Sequence, residues 1–195
     1  MAAEIDRRAA RSRRMLRDAL MTLILRRNYE EITVQDIIDE ADVGRSTFYA
    51  HFAGKDALLR SGFSELRDEL HALQDAAEAG RDEPGRPAFA FSAAFFQHAC
   101  DHRRIYRALI GGHGGKVMVN ELERVLAELV RKELDPPPSA PGVPVEVMTQ
   151  FVVATFHTVL RGSLAREPGL PASDMDAFFR QLALRGIGEP IGRGT

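Results

Sequence analysis

The first sixty residues carry apolar side chains at the spacing of short amphipathic helices. One stripe predicts a helix over residues 8–27, and its members are Leu16, Leu20, Leu23 and Ile24. Thr33, with Asp36 three residues later, matches the capping box that starts a helix, with aspartate in place of the usual glutamate. A short helix over residues 34–41 follows, and Asp42-Val43-Gly44 predicts a turn before a second short helix over residues 45–52.

The rest of the chain shows helical periodicity and no convincing strand. From Lys55, one long helix is predicted that ends at the glycines and prolines of residues 80–87; its stripe is Leu59, Phe63, Leu66, Leu70 and Leu73. Further helices are predicted at 88–100, 102–109, 118–129 and 145–165 and from Ser173 onward, with breaks at 111–115 and 136–144 and a loose tail at 186–195. The pattern predicts an all-α fold.

Composition is that of a soluble globular protein, with 195 residues of which 45% are hydrophobic and 28% are charged. The single cysteine, Cys100, cannot form an internal disulfide, which favours a reducing compartment. The arginine-rich residues 1–14 lack the apolar stretch of a secretory signal. No apolar run approaches the roughly 20 residues that cross a bilayer. We therefore expect a cytoplasmic protein with no membrane partner.

Charge is distributed unevenly along the chain. Residues 1–27 contain eight arginines and three acidic residues, so with a total net charge of −2 the remainder carries −7. A basic end on an acidic body suits a protein that presents only that end to phosphate. A solvated basic tail without a partner is the alternative interpretation of the same pattern.

The segment from Thr33 to Lys55 carries the functional prediction. Two short helices joined by a three-residue turn are the helix-turn-helix arrangement, whose second helix lies in the major groove of DNA. The apolar residues expected to hold the two helices together are Ile37, Ile38, Ala41, Val43 and Phe48. The polar face expected to approach DNA consists of Arg45, Ser46, Thr47, Tyr49 and His51.

The residues of this segment resemble the DNA-binding domain of the TetR family. The strongest part is Ser46-Thr47-Phe48-Tyr49-Ala50-His51-Phe52 followed by Gly54-Lys55-Asp56-Ala57-Leu58, and the similarity covers about residues 8–62. By position, the resemblance implies that Thr33, Tyr49, His51 and Lys55 contact phosphate and that Arg45, Ser46 and Thr47 face the operator. The chain departs from the family where Asp42 replaces the usual turn glycine and Gly44 replaces a Ser or Thr cap.

The resemblance also implies an all-helical homodimer with two domains. Residues 1–55 would form a three-helix DNA-binding domain, and residues 56–195 a larger ligand-binding and dimerisation domain. The dimer would form through the last two helices, whose apolar faces are Val147, Phe151, Ala154 and Thr158 on one and Met175, Phe178, Phe179 and Leu182 on the other. The expected partners are double-stranded operator DNA, a second copy of the chain and a small apolar effector, with no cofactor.

The effector would bind among aromatic and polar residues of the C-terminal half and tilt the long helix that starts at Lys55. The candidate ligand-binding residues are Phe91, Phe95, His98, Tyr106, Met118, Phe151, Thr155 and His157. Aromatic stripes on helices are, however, most often hydrophobic core.

Other functional classes remain as alternatives. A helical enzyme resembling glutathione-transferase-like domains would need a nucleophile and base, paired carboxylates or a cofactor loop at usable spacing, and the sequence shows none of these. A helical adaptor that binds only protein would leave Arg45, Ser46 and Thr47 unexplained. His98 and His102 could hold a metal only with a third ligand. The glycine run at 111–115 lacks the residues of a phosphate loop. We therefore predict neither catalytic nor metal-binding residues.

Overall fold

The computed structural model describes residues 2–79, 89–110, 112–134 and 143–188. These residues form ten α-helices and one 3₁₀ turn, and the described ranges contain no strand. The all-α prediction is confirmed. The predicted linker at 80–87, most of the proline-rich loop at 136–144 and residues 189–195 of the predicted tail lie outside the described residues. Within those ranges, no helix is both long and apolar enough to cross a lipid bilayer.

The chain divides into two compact units. Unit 1 comprises residues 1–65 and 104–121, and unit 2 comprises residues 66–103 and 122–195. The boundary between residues 55 and 56, predicted from the sequence, remains a prediction, because these units are defined by compactness rather than by function. Unit 1 extends beyond the predicted three-helix domain, since it also holds residues 56–65 and a segment from the C-terminal half.

The first helices of unit 1 follow the sequence patterns closely. They are α1 (Ala2–Ile24), α2 (Val34–Ala41), α3 (Arg45–His51) and α4 (Lys55–Ser61), with a 3₁₀ turn at Tyr29–Glu31. α1 packs against α2, α3 and α4. The side chains at the centre of this packing are fully buried and include Leu16, Leu20, Ile37, Phe48 and Leu58. Their burial removes apolar surface from water, which drives the packing of the four helices.

The predicted long helix from Lys55 to residue 80 is wrong, because the chain breaks after Ser61. α4 ends at Gly62 and α5 (Ser64–Ala79) begins two residues later. The Ser61 hydroxyl donates to the Leu58 carbonyl at 2.7 Å, and the Ser64 hydroxyl donates to the Ser61 carbonyl at 2.8 Å. Serine hydroxyls compete with the helical backbone pattern and glycine is a weak helix former, so this Ser-Gly segment interrupts a stripe that is otherwise continuous.

The remaining helices are α6 (Phe91–Asp101), α7 (Arg103–Leu109), α8 (His113–Glu133), α9 (Val145–Leu164) and α10 (Ala172–Gly188). The predicted break at 111–115 is therefore partly wrong, because Gly114 and Gly115 belong to the first turn of α8. The predicted tail from residue 186 is also partly wrong, because α10 continues through Gly186. A Cβ at Gly186 would lie 2.4 Å from the ring of Phe151, so glycine permits the close approach of α10 to α9.

Six phenylalanine rings form the centre of unit 2. Phe156 of α9 stacks on Phe96 of α6 with ring centroids 4.4 Å apart and meets Phe179 of α10 at 5.2 Å. Phe89, Phe91 and Phe95 pack around these rings, and all six side chains are at most 1% exposed. α6, α9 and α10 thus share one filled aromatic core, in which edge and stacked ring contacts add to the burial of apolar surface.

Candidate nucleic-acid interface

The start of the helix-turn-helix is fixed by the capping box predicted at Thr33. The Thr33 hydroxyl accepts the Asp36 backbone N–H at 3.1 Å, and the Asp36 carboxylate accepts the Thr33 backbone N–H at 2.7 Å. The same carboxylate accepts the Thr33 hydroxyl and pairs with Arg27 at 2.9 Å. The hydroxyl and backbone N–H of Thr33, followed by Arg27, lower the pKa of Asp36 to about 2. The expected phosphate contact of Thr33 would require its hydroxyl proton to turn away from Asp36.

The turn between α2 and α3 contains a left-handed residue at Asp42. Its φ of 49° and ψ of 50° are the conformation for which the family uses glycine, and its N–H reaches the carbonyls of Ile38 and Asp39. Aspartate adopts this region more readily than most residues with a Cβ. Gly44 then caps α3 in an extended conformation without a side-chain bond. Both departures from the family pattern therefore retain the local geometry.

α3 presents a polar surface around one buried anchor. Phe48 is fully buried, whereas Arg45 and Ser46 are exposed and Tyr49 is 49% exposed. Thr47 and His51 are half-buried. A guanidinium and hydroxyl groups supply donors for guanine, phosphate or other base edges. The structure thus brings together the five α3 residues that the sequence singled out on a helix held to its domain by Phe48.

Arg45 is already partly positioned on this surface. Its guanidinium lies 5.6 Å from the centroid of the Tyr49 ring and donates to the Gln35 side chain of α2 at 3.4 Å. A guanidinium stacked on an aromatic ring is less free to reorient than an isolated arginine. Tyr49 therefore does more than present a hydroxyl, because its ring also orients the arginine beside it.

Lys55, expected to contact phosphate, is engaged within unit 1. Its ammonium donates to the carbonyls of Tyr29 and Ile32, both at 2.8 Å, and to that of Glu30 at 3.2 Å. It also lies 4.6 Å from the centroid of the Tyr29 ring. An ammonium has three donors, so these carbonyls use all of them. Lys55 thus holds the 3₁₀ turn against the start of α4, and its phosphate contact remains a prediction.

Sequence reasoning missed a polar cluster in unit 1 that joins Tyr29 to His113. The Tyr29 hydroxyl donates to Asp56 at 2.5 Å, and His113 Nε2 lies 2.8 Å from the other carboxylate oxygen. The Glu30 carboxylate accepts the His113 backbone N–H at 2.5 Å. Burial and the Asp56 carboxylate raise the pKa of Tyr29. Burial opposes ionisation of Asp56, but the bonds from Tyr29 and His113 outweigh it and lower its pKa.

The glycine run at 111–115 was the available signal for this cluster. A Cβ at Gly114 would lie 2.7 Å from Tyr29 Cγ, and one at Gly115 would lie 2.3 Å from the Leu109 carbonyl oxygen. Glycine is needed at these positions because the backbone of α8 approaches its neighbours closely. The sequence predicts a helix break at these glycines. The close tertiary contacts explain why glycines occur at the start of α8.

The candidate ligand-binding residues are distributed over both units. Tyr106 and Met118 belong to unit 1, whereas the other six belong to unit 2. Within unit 2, Phe91 and Phe95 are parts of the filled aromatic core. Phe151 is 43% exposed on the surface of α9. The ligand-binding role of all eight residues remains a prediction.

The polar candidates of unit 2 differ in their surroundings. The half-buried Thr155 hydroxyl donates to the Phe151 carbonyl of its own helix at 2.8 Å. His98 stacks on His102 at 4.2 Å, and burial followed by the His102 charge lowers its pKa to about 4. Burial also lowers the pKa of His157, whose Nε2 lies 4.0 Å from Glu123 and has no hydrogen-bond partner within the described ranges.

Gln74 is a buried polar residue of unit 2 that the sequence did not indicate. It is fully buried and its amide donates to the Leu129 carbonyl at 2.7 Å, while its Oε1 has no partner among the residues that the structure describes. Its position four residues after Leu70 on the apolar stripe of α5 was the signal that it points inward. Gln74 and His157 both contact side chains or carbonyls of α8.

His98 on α6 and His102 at its end could hold a metal ion only with a third ligand. Within the described ranges, no group of three His, Cys, Asp or Glu side chains is arranged to hold a metal ion. His102 Nδ1 lies 3.0 Å from the His98 carbonyl. The pair therefore packs locally on α6.

The predicted dimerisation faces are partly corrected by their burial. On α9, Val147 is 52% exposed, and Ala154, Thr158 and Gly162 are also exposed. On α10, Phe178 and Leu182 are 46% and 54% exposed, but Met175 and Phe179 are buried. Met175 and Phe179 are therefore core residues of the subunit, and the exposed apolar face of α9 and α10 consists of Val147, Phe151, Phe178 and Leu182.

Sequence comparison identifies relatives of the N-terminal helices. The family model for bacterial regulatory proteins of the TetR family matches residues 16–61, which span the buried part of α1 through α4. The uncharacterized HTH-type transcriptional regulator YxbF of Bacillus subtilis is 37% identical over 59 residues, covering 30% of this chain and only 16% of YxbF. The HTH-type transcriptional regulator TcmR of Streptomyces glaucescens is 26% identical over 189 residues, covering 96% of this chain and 73% of TcmR.

Solved structures share the fold over nearly the whole chain. A TetR-family transcriptional regulator from Syntrophomonas wolfei has a TM-score of 0.71 at 13% identity, covering 94% of this chain and 98% of the other. Thermus thermophilus FadR, a TetR-family repressor solved with lauroyl-CoA, has a TM-score of 0.60 at 18% identity with the same coverage. At these identities the likeness establishes the fold. The match at residues 16–61 identifies α1 through α4 as similar to the N-terminal domain of bacterial regulatory proteins of the TetR family, and the described fold is like that of solved TetR-family regulators.

Proposed function

We propose that the protein is a ligand-responsive transcriptional repressor that binds a palindromic operator as a homodimer through α3. The observation that carries the proposal is α3 itself, where buried Phe48 fixes a helix whose Arg45, Ser46 and Tyr49 are exposed. Arg45, Ser46 and Thr47 would face bases, and Tyr49 and His51 would contact phosphate, with Thr33 and Lys55 as further phosphate contacts. The family consists of regulators rather than enzymes, which removes the enzyme alternative.

The exposed apolar face of α9 and α10 supports the homodimer. Large apolar residues scattered singly on a surface are ordinary, but Val147, Phe151, Phe178 and Leu182 lie on two helices that pack against each other. Two copies related by a twofold axis would bury this face in a four-helix arrangement. Binding of such a dimer to a palindrome would require its two α3 helices to lie about 34–36 Å apart, one on each half-site.

Buried polar atoms of unit 2 support an effector site in that unit. Gln74 Oε1 and His157 Nε2 lack partners within the described ranges, although buried polar groups are normally hydrogen-bonded. An effector with one or two polar groups on a largely apolar body would supply the missing partners. Thermus thermophilus FadR was solved with lauroyl-CoA, which joins a long apolar acyl chain to a strongly polar coenzyme A moiety.

Effector release of DNA would require the effector to bind the DNA-free state more tightly than the DNA-bound state. A coupling free energy of about 1–3 kcal/mol is typical of such systems. The effector was expected to tilt one continuous helix that starts at Lys55. The structure has two shorter helices there, α4 and α5, because the chain breaks at Gly62. Reciprocity still holds whatever the path: operator DNA must weaken effector binding by the factor by which effector weakens operator binding.

Fluorescence anisotropy with the DNA upstream of the protein's own gene tests the proposal. The wild type should bind one duplex in preference to a random duplex of the same length, and Arg45→Ala should lose about 1–3 kcal/mol at particular base pairs. A matched control is Arg131→Ala, which removes an exposed arginine from α8 of unit 2. Equal affinity of wild type for upstream and random duplexes would contradict an operator-binding function.

The effector part of the proposal has its own experiment. Compounds that raise the melting temperature are titrated with and without operator duplex, in the wild type and in Gln74→Leu and His157→Phe variants. We expect operator DNA to weaken the binding of an effector. We also expect either substitution to weaken effector binding, because the effector loses its hydrogen-bond partner at residue 74 or 157. A compound bound equally well with and without operator would contradict effector-driven release while leaving DNA binding intact.

A further inference from the structure

The N-terminal end of α1 is an arginine-rich helical segment that precedes the packed part of that helix. Residues 7–17 contain six arginines and no acidic residue. The first fully buried side chain of α1 is Leu16, and Arg8, Arg11, Arg13 and Arg14 are all exposed before it. We refer to residues 7–14 as the basic arm.

The basic arm is regular helix in unit 1. α1 is continuous from Ala2 to Ile24, and with a rise of about 1.5 Å per residue the arm is roughly 12 Å long. At about 100° per residue, Arg11 and Arg14 lie on the side of the helix away from Leu16 and Leu20, which face the core. The two guanidinium groups are therefore directed away from the packing of α1 on α2, α3 and α4.

The charge of the arm opposes the helix that carries it. Like charges three or four residues apart repel, as between Arg8 and Arg11 and between Arg11 and Arg14. No acidic residue interrupts residues 7–17, and the nearest acidic residues along the chain, Glu4, Asp6 and Asp18, lie at the two ends of this stretch. A face that only solvated the helix would interleave both signs of charge.

Intramolecular ion pairs do not account for four of the five arginines of the basic arm. Within the ranges that the structure describes, Arg8, Arg11, Arg13 and Arg14 form no ion pair, whereas Arg26 and Arg27, further along the same segment, pair with Glu40 and Asp36. A polyanion would supply the missing negative charge. Duplex DNA carries one phosphate charge per about 1.7 Å of its axis, which matches an arm with several cations in roughly 12 Å.

We propose that the basic arm is a second DNA-binding surface that contacts phosphates of duplex DNA without reading sequence. This inference rests on the proposed function, because the helix-turn-helix must bring the DNA to the same unit. The arm raises the affinity of the protein for operator and random DNA alike. It also makes both affinities fall more steeply as the salt concentration rises. Specificity stays with α3, since the arm offers only charges to the phosphate backbone.

Salt titrations of the Arg11→Ala/Arg14→Ala variant test the arm. Affinity for a random-sequence 30-base-pair duplex is measured by anisotropy from 50 to 300 mM salt, and the upstream duplex is measured in parallel. A dimer that loses four phosphate contacts should show a log–log slope less steep by about 3 to 4. The preference for the upstream duplex over the random duplex should not change, and the helical signal in circular dichroism should be equal or larger.

Matched variants separate the arm from general charge and from the proposed function. Arg131→Ala/Arg166→Ala removes two exposed arginines from unit 2 and should leave the slope unchanged. Arg45→Ala should reduce the preference for the upstream duplex over the random duplex. If it does, and the Arg11→Ala/Arg14→Ala variant has the same salt slope as the wild type, the proposal for the basic arm is overturned. The helix-turn-helix function stands in that case. If the wild type binds neither duplex, the proposed function fails first.

The same variant tests a membrane as the alternative partner. Vesicles containing anionic phosphatidylglycerol are mixed with wild type and with Arg11→Ala/Arg14→Ala, and the bound fraction is measured by sedimentation. Binding to vesicles that the variant loses, with no change in the DNA salt slope, would overturn the proposal. No vesicle binding together with a flattened DNA slope supports it.

Discussion

The Glu30 carboxylate accepts the backbone N–H of His113 at 2.5 Å, and this bond caps the first turn of α8. The first N–H groups of a helix have no partner within the helix, and an anion is favoured at this end by the helix dipole. The backbone N–H of Glu30 itself, followed by the His113 N–H, lowers the pKa of Glu30. The carboxylate therefore remains ionised in its capping role, and a residue of the 3₁₀ turn determines where α8 begins.

Gly114→Ala should destabilise unit 1, because the added Cβ would lie 2.7 Å from Tyr29 Cγ and 2.8 Å from Leu109 Cδ2. Both neighbours are buried, so the clash forces a backbone shift that costs about 1–3 kcal/mol. Chemical denaturation measures the loss. Gly54→Ser is the control, because nothing lies within 4 Å of its Cβ and serine is a favourable N-cap for α4. Equal stability of both variants would contradict the close approach of α8 to Tyr29.

Phe178→Asp and Phe179→Asp should have different outcomes although the residues are adjacent. Phe178 is 46% exposed, so aspartate there should give a folded monomer. Phe179 is fully buried in the aromatic core, where an unpaired carboxylate should prevent folding. Sedimentation and circular dichroism distinguish the two results. A folded dimer from Phe178→Asp would argue against pairing through α9 and α10.

Lys55→Met should lower the free energy of unfolding by about 1–3 kcal/mol, because the carbonyls of Tyr29, Glu30 and Ile32 lose their shared donor. Arg60→Met, an exposed substitution on the same helix, removes the same charge and should cost less. Chemical denaturation curves of the two variants measure the stabilising role of Lys55. The salt dependence of DNA binding tests its phosphate contact. If Lys55 contacts phosphate, its loss should make the log–log slope of affinity against salt less steep by about 0.9 per subunit.

The stability of the fold should fall between pH 6.5 and pH 4 in a way that depends on His98. Its pKa is lowered to about 4 from the ordinary 6.5, so in this interval the unfolded chain binds a proton there and the folded chain does not. The free energy of unfolding therefore rises with pH across the interval, and acidification from pH 7 to pH 4 lowers it. His98→Gln should be less sensitive to pH in this range. Parallel profiles for wild type and variant would contradict this assignment.

The sequence by itself determined those features that depend on neighbours a few residues apart. The Thr33–Asp36 capping box, the turn that begins at Asp42 and the short helices α2 and α3 were all predicted, because caps, turns and the 3.6-residue period are local. The five polar residues of α3 followed from the same period, since burying Phe48 places the others around the rest of the helix.

Only the tertiary structure decided which apolar and polar residues meet. Periodicity shows that both Phe178 and Phe179 lie near an apolar face, but neighbours on a helix are about 100° apart, and the packing of α10 on α6 and α9 buries only Phe179. Lys55 looked like a free cation because its three acceptors lie 23 to 26 residues earlier in the chain. His113 and Glu30 are 83 residues apart. Sequence patterns carry no information on such pairings, because they depend on how helices pack rather than on how each helix forms.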